Sequence, residues 1–226
     1  MFSMYNKKSK TICFIPARGK SNRILNKNLK KINNKTLIEI TINQAKRSGV
    51  FRDIILSSNS EKILSIGKKL KINCLKRSQR NSKHNSTTDS ALKETVLKIR
   101  NDYENIVILQ VTSPLRKIST IKKFISFCKY KKLDHCLTVS KFTDNLSYYN
   151  KYYFNSLIKK RQRSQTKKPF IYENGLIYFI SRKNFIKNFK IFPKKNWNYF
   201  LTNKYESLDI NELQDLKVCK LLNNKI

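Results

Sequence analysis

The chain has 226 residues, the size of one large domain or two small ones, and carries 49 Lys plus Arg against 14 Asp plus Glu, a formal net charge of +35. An apolar content of 39% with 11% aromatics supplies a core, and only 4 Gly and 4 Pro exclude collagen-like and linker-dominated chains. Met1–Lys10 has no apolar stretch for a signal peptide, no apolar run nears 18 residues, and five spread cysteines with two histidines and no C-x-x-C exclude a disulfide framework or zinc finger, so reduced thiols, a cytoplasmic setting and no membrane partner are expected.

Thr11 to Ile15 reads as a buried strand, followed by a polar, basic loop from Pro16 to Asn28. Leu37, Ile40 and Ala45 carry helical spacing that ends near Gly49. Asp53 to Leu56 predicts a second strand. Ser60 is placed to cap a helix through Leu70, with Ile63, Ile66 and Leu70 on one face. Ile72 to Leu75 is a short strand, Thr87 to Ile99 a helix, and Asn105 to Val111 the clearest buried strand. Ile118 to Lys131 is helical again and His135 to Ser140 a strand. This alternation predicts an α/β fold with a mostly parallel sheet, whose ligands sit at the carboxyl ends of the strands.

After Ser140 the pattern changes. Tyr148, Tyr149, Tyr152, Tyr153 and Phe154 stand among Asn and Lys without helical period, predicting an extended arm at about 141–168. Pro169 to Ile180 returns to strand pattern, and Asp209 to Leu222 reads as a closing helix. With no internal repeat and no low-complexity linker, 1–226 is expected to be a single domain with this excursion.

The charge has two readings. Lys is 38 and Arg 11, with 25 Asn and 26 Ile, all three of the abundant types drawn from A/T-rich codons. A solvated basic surface around an enzyme is the first reading. A nucleic-acid partner is the second, but the cations are spread along the chain and no recognition motif occurs.

Several residues carry chemistry by type and place. The Arg-, Lys-, Ser- and Asn-rich loop after the first strand suits a phosphate chain. Gly19-Lys20-Ser21 is not a P-loop, because position 14 is Phe14 where the motif needs glycine. Gln110 ends the best strand, where side chains reach a ligand. Ser113-Pro114 either shapes a pocket or opens the helix at Leu115, and Asn174-Gly175 is either a turn before a strand or part of the site. Asp209 suits a hard cation such as Mg²⁺, or caps the last helix.

Pro16-Ala17-Arg18-Gly19, Ser21 and Lys27-Asn28 resemble the P-A-R-G-G-S-K…K-N signature of the acylneuraminate cytidylyltransferases, which activate sialic, legionaminic, pseudaminic and Kdo-type sugars. Further segments are similar in order: Ser57 to Glu61, Arg77, Leu109 to Arg116 (L-Q-V-T-S-P-L-R), Tyr172 to Tyr178 and Glu206 to Ile210.

The resemblance implies a Rossmann-like nucleotidyltransferase fold with 141–168 as a dimerisation arm. The implied reaction transfers CMP from CTP to an acidic nine-carbon 2-keto sugar and releases pyrophosphate. Arg18, Ser21 and Lys27 would hold the triphosphate, and Asn28 and Arg77 the nucleotide. Arg18, Lys27 and Asp209 would be catalytic, with Asp209 holding Mg²⁺. Gln110, Thr112, Ser113 and Asn174 would meet the sugar. Its carboxylate would meet either Arg161–Gln162 or Arg163–Gln165. The alternatives are another sugar within the class, a decayed relative, or a nucleic-acid binder. The chain departs from the pattern at Lys20 (glycine), Asn22 (lysine) and Asn211 (aspartate).

Overall fold

The computed structural model describes residues 9–21, 23–82, 86–100, 102–142, 147–149, 154–156, 169–192 and 197–223. Its centre is a seven-stranded sheet of β1 (Thr11–Pro16), β4 (Asp53–Ser58), β5 (Asn73–Lys76), β6 (Asn105–Leu109), β7 (His135–Phe142), β10 (Phe170–Ser181) and β11 (Tyr199–Leu201). The spatial order is β11-β7-β10-β6-β1-β4-β5. Two small hairpins stand apart, β2 (Lys31–Ile32) with β3 (Lys35–Thr36), and β8 (Ser147–Tyr149) with β9 (Phe154–Ser156). The second falls within the arm predicted at 141–168.

Pairings β1–β4, β1–β6, β4–β5 and β7–β11 are parallel. Strand β10 is antiparallel to both β6 and β7. The mostly parallel sheet thus holds one inserted reversed strand, which local periodicity does not signal.

Alternation along β1 sends Cys13 and Ile15 to one face and Ile12 and Phe14 to the other, all fully buried. On the first face the core is closed by α1 (Leu37–Ser48), α2 (Glu61–Lys69), α4 (Ile118–Tyr130) and α6 (Leu213–Asn223), through Ile38, Ile63, Phe124 and Cys219 among others. On the second face α3 (Thr88–Val96) and α5 (Arg182–Asn188) contribute Leu92 and Phe185. Each such buried side chain contributes roughly 1.5–3 kcal/mol of transfer free energy. All five cysteines are free thiols.

The helix starts show which end signals operate. Thr36 and Glu39 form a capping box at α1, and Gly49 (φ 64°) closes it in the left-handed conformation. Ser60 precedes α2 as expected, but its side chain makes no capping hydrogen bond. Helix α4 begins at Ile118 rather than Leu115, because the Pro114 and Arg116 carbonyls accept hydrogen bonds from the Gln44 amide in a loop. Helix α6 begins at Leu213 rather than Asp209. The Asp215 carboxylate accepts the Asn211 and Glu212 amides at 2.8 and 2.7 Å, so the cap belongs to Asp215.

From β1 the chain crosses to β4 and β5, then returns to β6 on the opposite side of β1. That reversal opens a crevice at the carboxyl ends of β1 and β6, where open α/β sheets place ligands.

Candidate active site

A cavity of about 580 Å³ occupies that crevice. Pro16, Arg18, Lys20 and Ser21 enter from the end of β1, and Arg23, Lys27 and Asn28 from the loop that follows. Gln110 and Thr112 come from the end of β6, Arg77 from the end of β5, and Asp209 and Asn211 from the approach to α6. Five basic side chains therefore line it, and Asp209 is the one acid among its described lining residues.

Arg77 is 7% exposed. Its Nε donates to Ser57 Oγ at 2.9 Å, while its buried Nη2 has no partner among the described residues. Burial, then the Arg18 charge, lowers its pKa to about 10, against the opposing pull of Glu94. Arg77 lines the cavity, and a buried guanidinium there whose donors the protein does not all satisfy is suited to an anionic ligand.

Lys27 is buried, and its Nζ donates to the Ile210 carbonyl at 2.7 Å. The Ile210 amide donates to the Thr112 carbonyl at 2.8 Å. These two bonds, to the carbonyl and from the amide of Ile210, fix the neighbouring Asp209 against the end of β6. Burial lowers the Lys27 pKa, opposed first by the Asp209 charge. Asn28 donates to the Arg18 carbonyl at 2.8 Å, and the Gly19 amide to Asn59 Oδ1 at 2.9 Å. A Cβ on Gly19 would lie 2.9 Å from Ser60 Cβ, so this turn needs glycine for close approach.

Two residues assigned to the sugar from their motifs do not line the cavity. Ser113 is fully buried beneath the β6 turn. Asn174 is 5% exposed, and its amide binds Thr138, Ser140 and Thr202 at 2.7–2.8 Å. The register of β10 shifts between Glu173 and Tyr178, and Gly175 sits at φ 70°. Asn174-Gly175 is thus a bulge inside a strand, not a turn before one; it turns Asn174 inward and leaves Gly175 and Tyr178 on the cavity wall. Arg161, Gln162, Arg163 and Gln165, and Asn22, lie outside the described residues.

The sequence reading missed a hydroxyl-rich wall of Ser82, Ser86, Thr87 and Thr88. The Ser/Thr cluster between Arg77 and α3 is its one signal. It also gave no role to Arg116, which is 2% exposed and donates to the Leu176 carbonyl at 3.1 Å, Gln44 Oε1 at 3.0 Å and the Gln110 carbonyl at 2.5 Å. Arg116 holds β6, β10 and α1 together directly behind the cavity.

The segment Ser78–Ser82 is pinned by Glu94, which accepts from Ser78 N, Ser78 Oγ and Asn81 Nδ2 and pairs with Lys98. Burial alone would raise the Glu94 pKa, but the hydrogen bonds from Lys98, Asn81 and Ser78 together bring it from an ordinary 4.5 to about 2. A folded-state pKa below the unfolded value contributes stability above about pH 4.5 and loses it as pH falls toward 2. Glu94→Gln is therefore expected to lower the thermal midpoint at pH 6, and the difference from the parent is expected to shrink steadily in melts taken from pH 5 to pH 2.

A cationic crevice at the carboxyl ends of the strands marks a doubly wound α/β domain with an anion-suited site. A cytidylyltransferase family model matches residues 12–223, so the chain belongs to that family. It is 29% identical over 214 residues to an N-acylneuraminate cytidylyltransferase of Streptococcus agalactiae, covering 91% of this chain and 51% of that protein. The chain thus spans about half the length of that relative. It is 27% identical over 225 residues to a pseudaminic acid cytidylyltransferase of Campylobacter jejuni, covering 94% and 96%. A solved CMP:2-keto-3-deoxy-manno-octonic acid synthetase complexed with CTP superposes with a TM-score of 0.73 at 15% identity, covering 96% and 99%, and supports the fold. No helix among the described residues is long and apolar enough to cross a membrane.

Proposed function

We propose that the chain transfers a cytidylyl group from CTP to an acidic 2-keto sugar of the sialic acid type, releasing pyrophosphate. The observation that carries this reading is the cationic crevice with the unused Arg77 donor in a chain of the cytidylyltransferase family. The sugar hydroxyl attacks the α-phosphorus, the bond to the β-phosphate oxygen breaks, and the hydroxyl proton leaves to solvent or base. Arg18, Ser21 and Lys27 orient the triphosphate and neutralise charge gathering on the leaving pyrophosphate. Asn28 and Arg77 hold the nucleotide, and Gln110 and Thr112 face the sugar.

Asp209 and the Asn211 amide offer hard oxygen donors at the cavity edge, a set that fits Mg²⁺ once phosphate oxygens and water complete it. Such an ion would add charge neutralisation there. The positioning is the work of the side chains. The β8–β9 hairpin lies in the arm through which we propose two copies associate.

The test measures pyrophosphate release from CTP against sialic, legionaminic, pseudaminic and Kdo-type sugars, with a no-sugar control and ATP in place of CTP. Release with CTP and one acidic sugar, and none with ATP, is the expected result. Thermal stabilisation by CTP with Mg²⁺ should exceed that by ATP, since a ligand of the native state raises stability. Equal shifts with both nucleotides and no release with any sugar sink the reading.

A further inference from the structure

Cations are not evenly placed on this fold. Helices α1, α2 and α4 share one layer, and each returns from the cleft end of the sheet to the opposite pole. Their acids, Glu39 and Glu61, sit in first turns at the cleft end. Glu39 is held by Thr36 and Glu61 by Lys76. Helix α4 has no acid at all.

The last turns are cationic. Lys46 and Arg47 end α1, Lys68 and Lys69 end α2, and Lys129 is in the last turn of α4. Exposed Lys71, Lys131 and Lys132 follow directly. Cations at helix carboxyl ends offset the macrodipole, which accounts for one or two per helix. It does not account for those past the ends. Lys71 and Lys132 have φ of 54° and 50°, the left-handed position that glycine fills after α1. The chain keeps lysine there at a conformational cost.

The three ends form one continuous surface. Lys46 Nζ donates to the Leu70 carbonyl at 2.7 Å, joining α1 to α2. Ser9 Oγ donates to the Val50 carbonyl at 2.8 Å, and Ser9 shares a hollow with Lys129 and Lys132, joining α1 to α4. Burial and then the Lys71 charge lower the Lys46 pKa, the mark of like charges pressed together.

Acids near this pole are already engaged. Glu104 pairs with Lys10, Asp53 and Asp102 pair with Arg52, and Asp134 accepts from Ser181. Among the described residues, Arg47, Lys68, Lys69, Lys129, Lys131 and Lys132 take part in no ion pair.

We propose that the cationic pole formed by the carboxyl ends of α1, α2 and α4 docks on an anionic phospholipid surface, leaving the nucleotide cleft open at the far end. All but Arg47 are lysines, compact and strongly hydrated and without the fork by which arginine reads bases and phosphates bidentately. They lie on helix ends rather than along a groove. Tyr130, 82% exposed between Lys129 and Lys131, supplies the amphipathic ring that settles at headgroup depth. This binding needs no apolar span.

The experiment sediments the full chain with vesicles of phosphatidylcholine, with and without phosphatidylglycerol, at roughly physiological salt. Binding to the anionic vesicles alone is expected. Lys129→Glu with Lys131→Glu should reduce partitioning at least about tenfold, while a charge-matched control on the α5 face, Lys183→Glu with Lys187→Glu, should change it less than about twofold. Equal thermal midpoints for both variants exclude misfolding, and Tyr130→Ala, which keeps every charge, should weaken binding by a smaller factor. Absence of binding to anionic vesicles, equal loss in the control, or tighter retention on duplex DNA at the same salt overturns the proposal. The last outcome gives the surface to nucleic acid.

Discussion

Replacing Lys27 with methionine is expected to lower turnover by roughly a hundred- to a thousandfold, the range seen when a fixed charge facing a developing anion is removed. Methionine keeps the length of the side chain and its burial but removes the ammonium. Two functions are lost together. One is a cation on the cavity wall, and the other is the hydrogen bond to the Ile210 carbonyl that holds the Asp209 segment. Lys27→Arg separates them, because it restores charge with a wider head that does not fit the same buried bond. If Lys27 only tethers Ile210, the methionine variant loses thermal stability while kcat at saturating CTP and sugar stays near the parent value. If its charge serves the reaction, kcat falls steeply and Lys27→Arg recovers part of it. Measuring kcat, KM for CTP and the thermal midpoint for both variants distinguishes the two.

What the sequence discloses here follows from how local each cause is. The strands β1, β4 and β6 and helices α1 to α4 are legible because buried faces impose their own period on the chain. The reversed insertion of β10 between β6 and β7 is not, because pairing direction depends on partners seventy residues away in the chain or on a neighbour's edge, not on alternation. The cavity shows the same division. Arg18, Ser21, Lys27, Asn28, Arg77, Gln110, Thr112 and Asp209 all line it, brought there by loops that follow parallel strands. Ser113 and Asn174 belong to the same motifs, yet a turn and a bulge aim them into the core. A motif fixes where the backbone passes; the direction of a side chain is set by the bulge beneath it. The Glu94–Lys98 pair has the i, i+4 spacing of a helix face, but the loop amides Glu94 holds and the Gln44 and Leu176 groups Arg116 reaches are brought to them by the fold, so local sequence does not mark what they do there.

Asp209→Asn is expected to lower turnover at least about a hundredfold, equivalent to about 2.7 kcal/mol of lost transition-state stabilisation. Asp209 carries the one negative charge among the described cavity residues, and its carboxylate accepts from the Asn211 amide at 2.8 Å. The capping alternative predicts almost no effect, since asparagine caps about as well as aspartate. That alternative already conflicts with the structure, where Asp215 takes the amides ahead of α6. A second readout comes from Lys27. Asp209 is the strongest of the charges that oppose the lowering of the Lys27 pKa by burial, so removing it lets that pKa fall further. The basic limb of the pH–rate profile should then move to lower pH in Asp209→Asn. Asn211→Asp tests the neighbouring position in the opposite sense. It exchanges a donor to Asp209 for a second carboxylate, so the variant should melt lower than the parent without divalent ions, regain that loss with Mg²⁺, and reach full turnover at a lower Mg²⁺ concentration. Turnover near the parent value in Asp209→Asn across a full Mg²⁺ titration, with an unmoved basic limb, would remove Asp209 from the catalytic set.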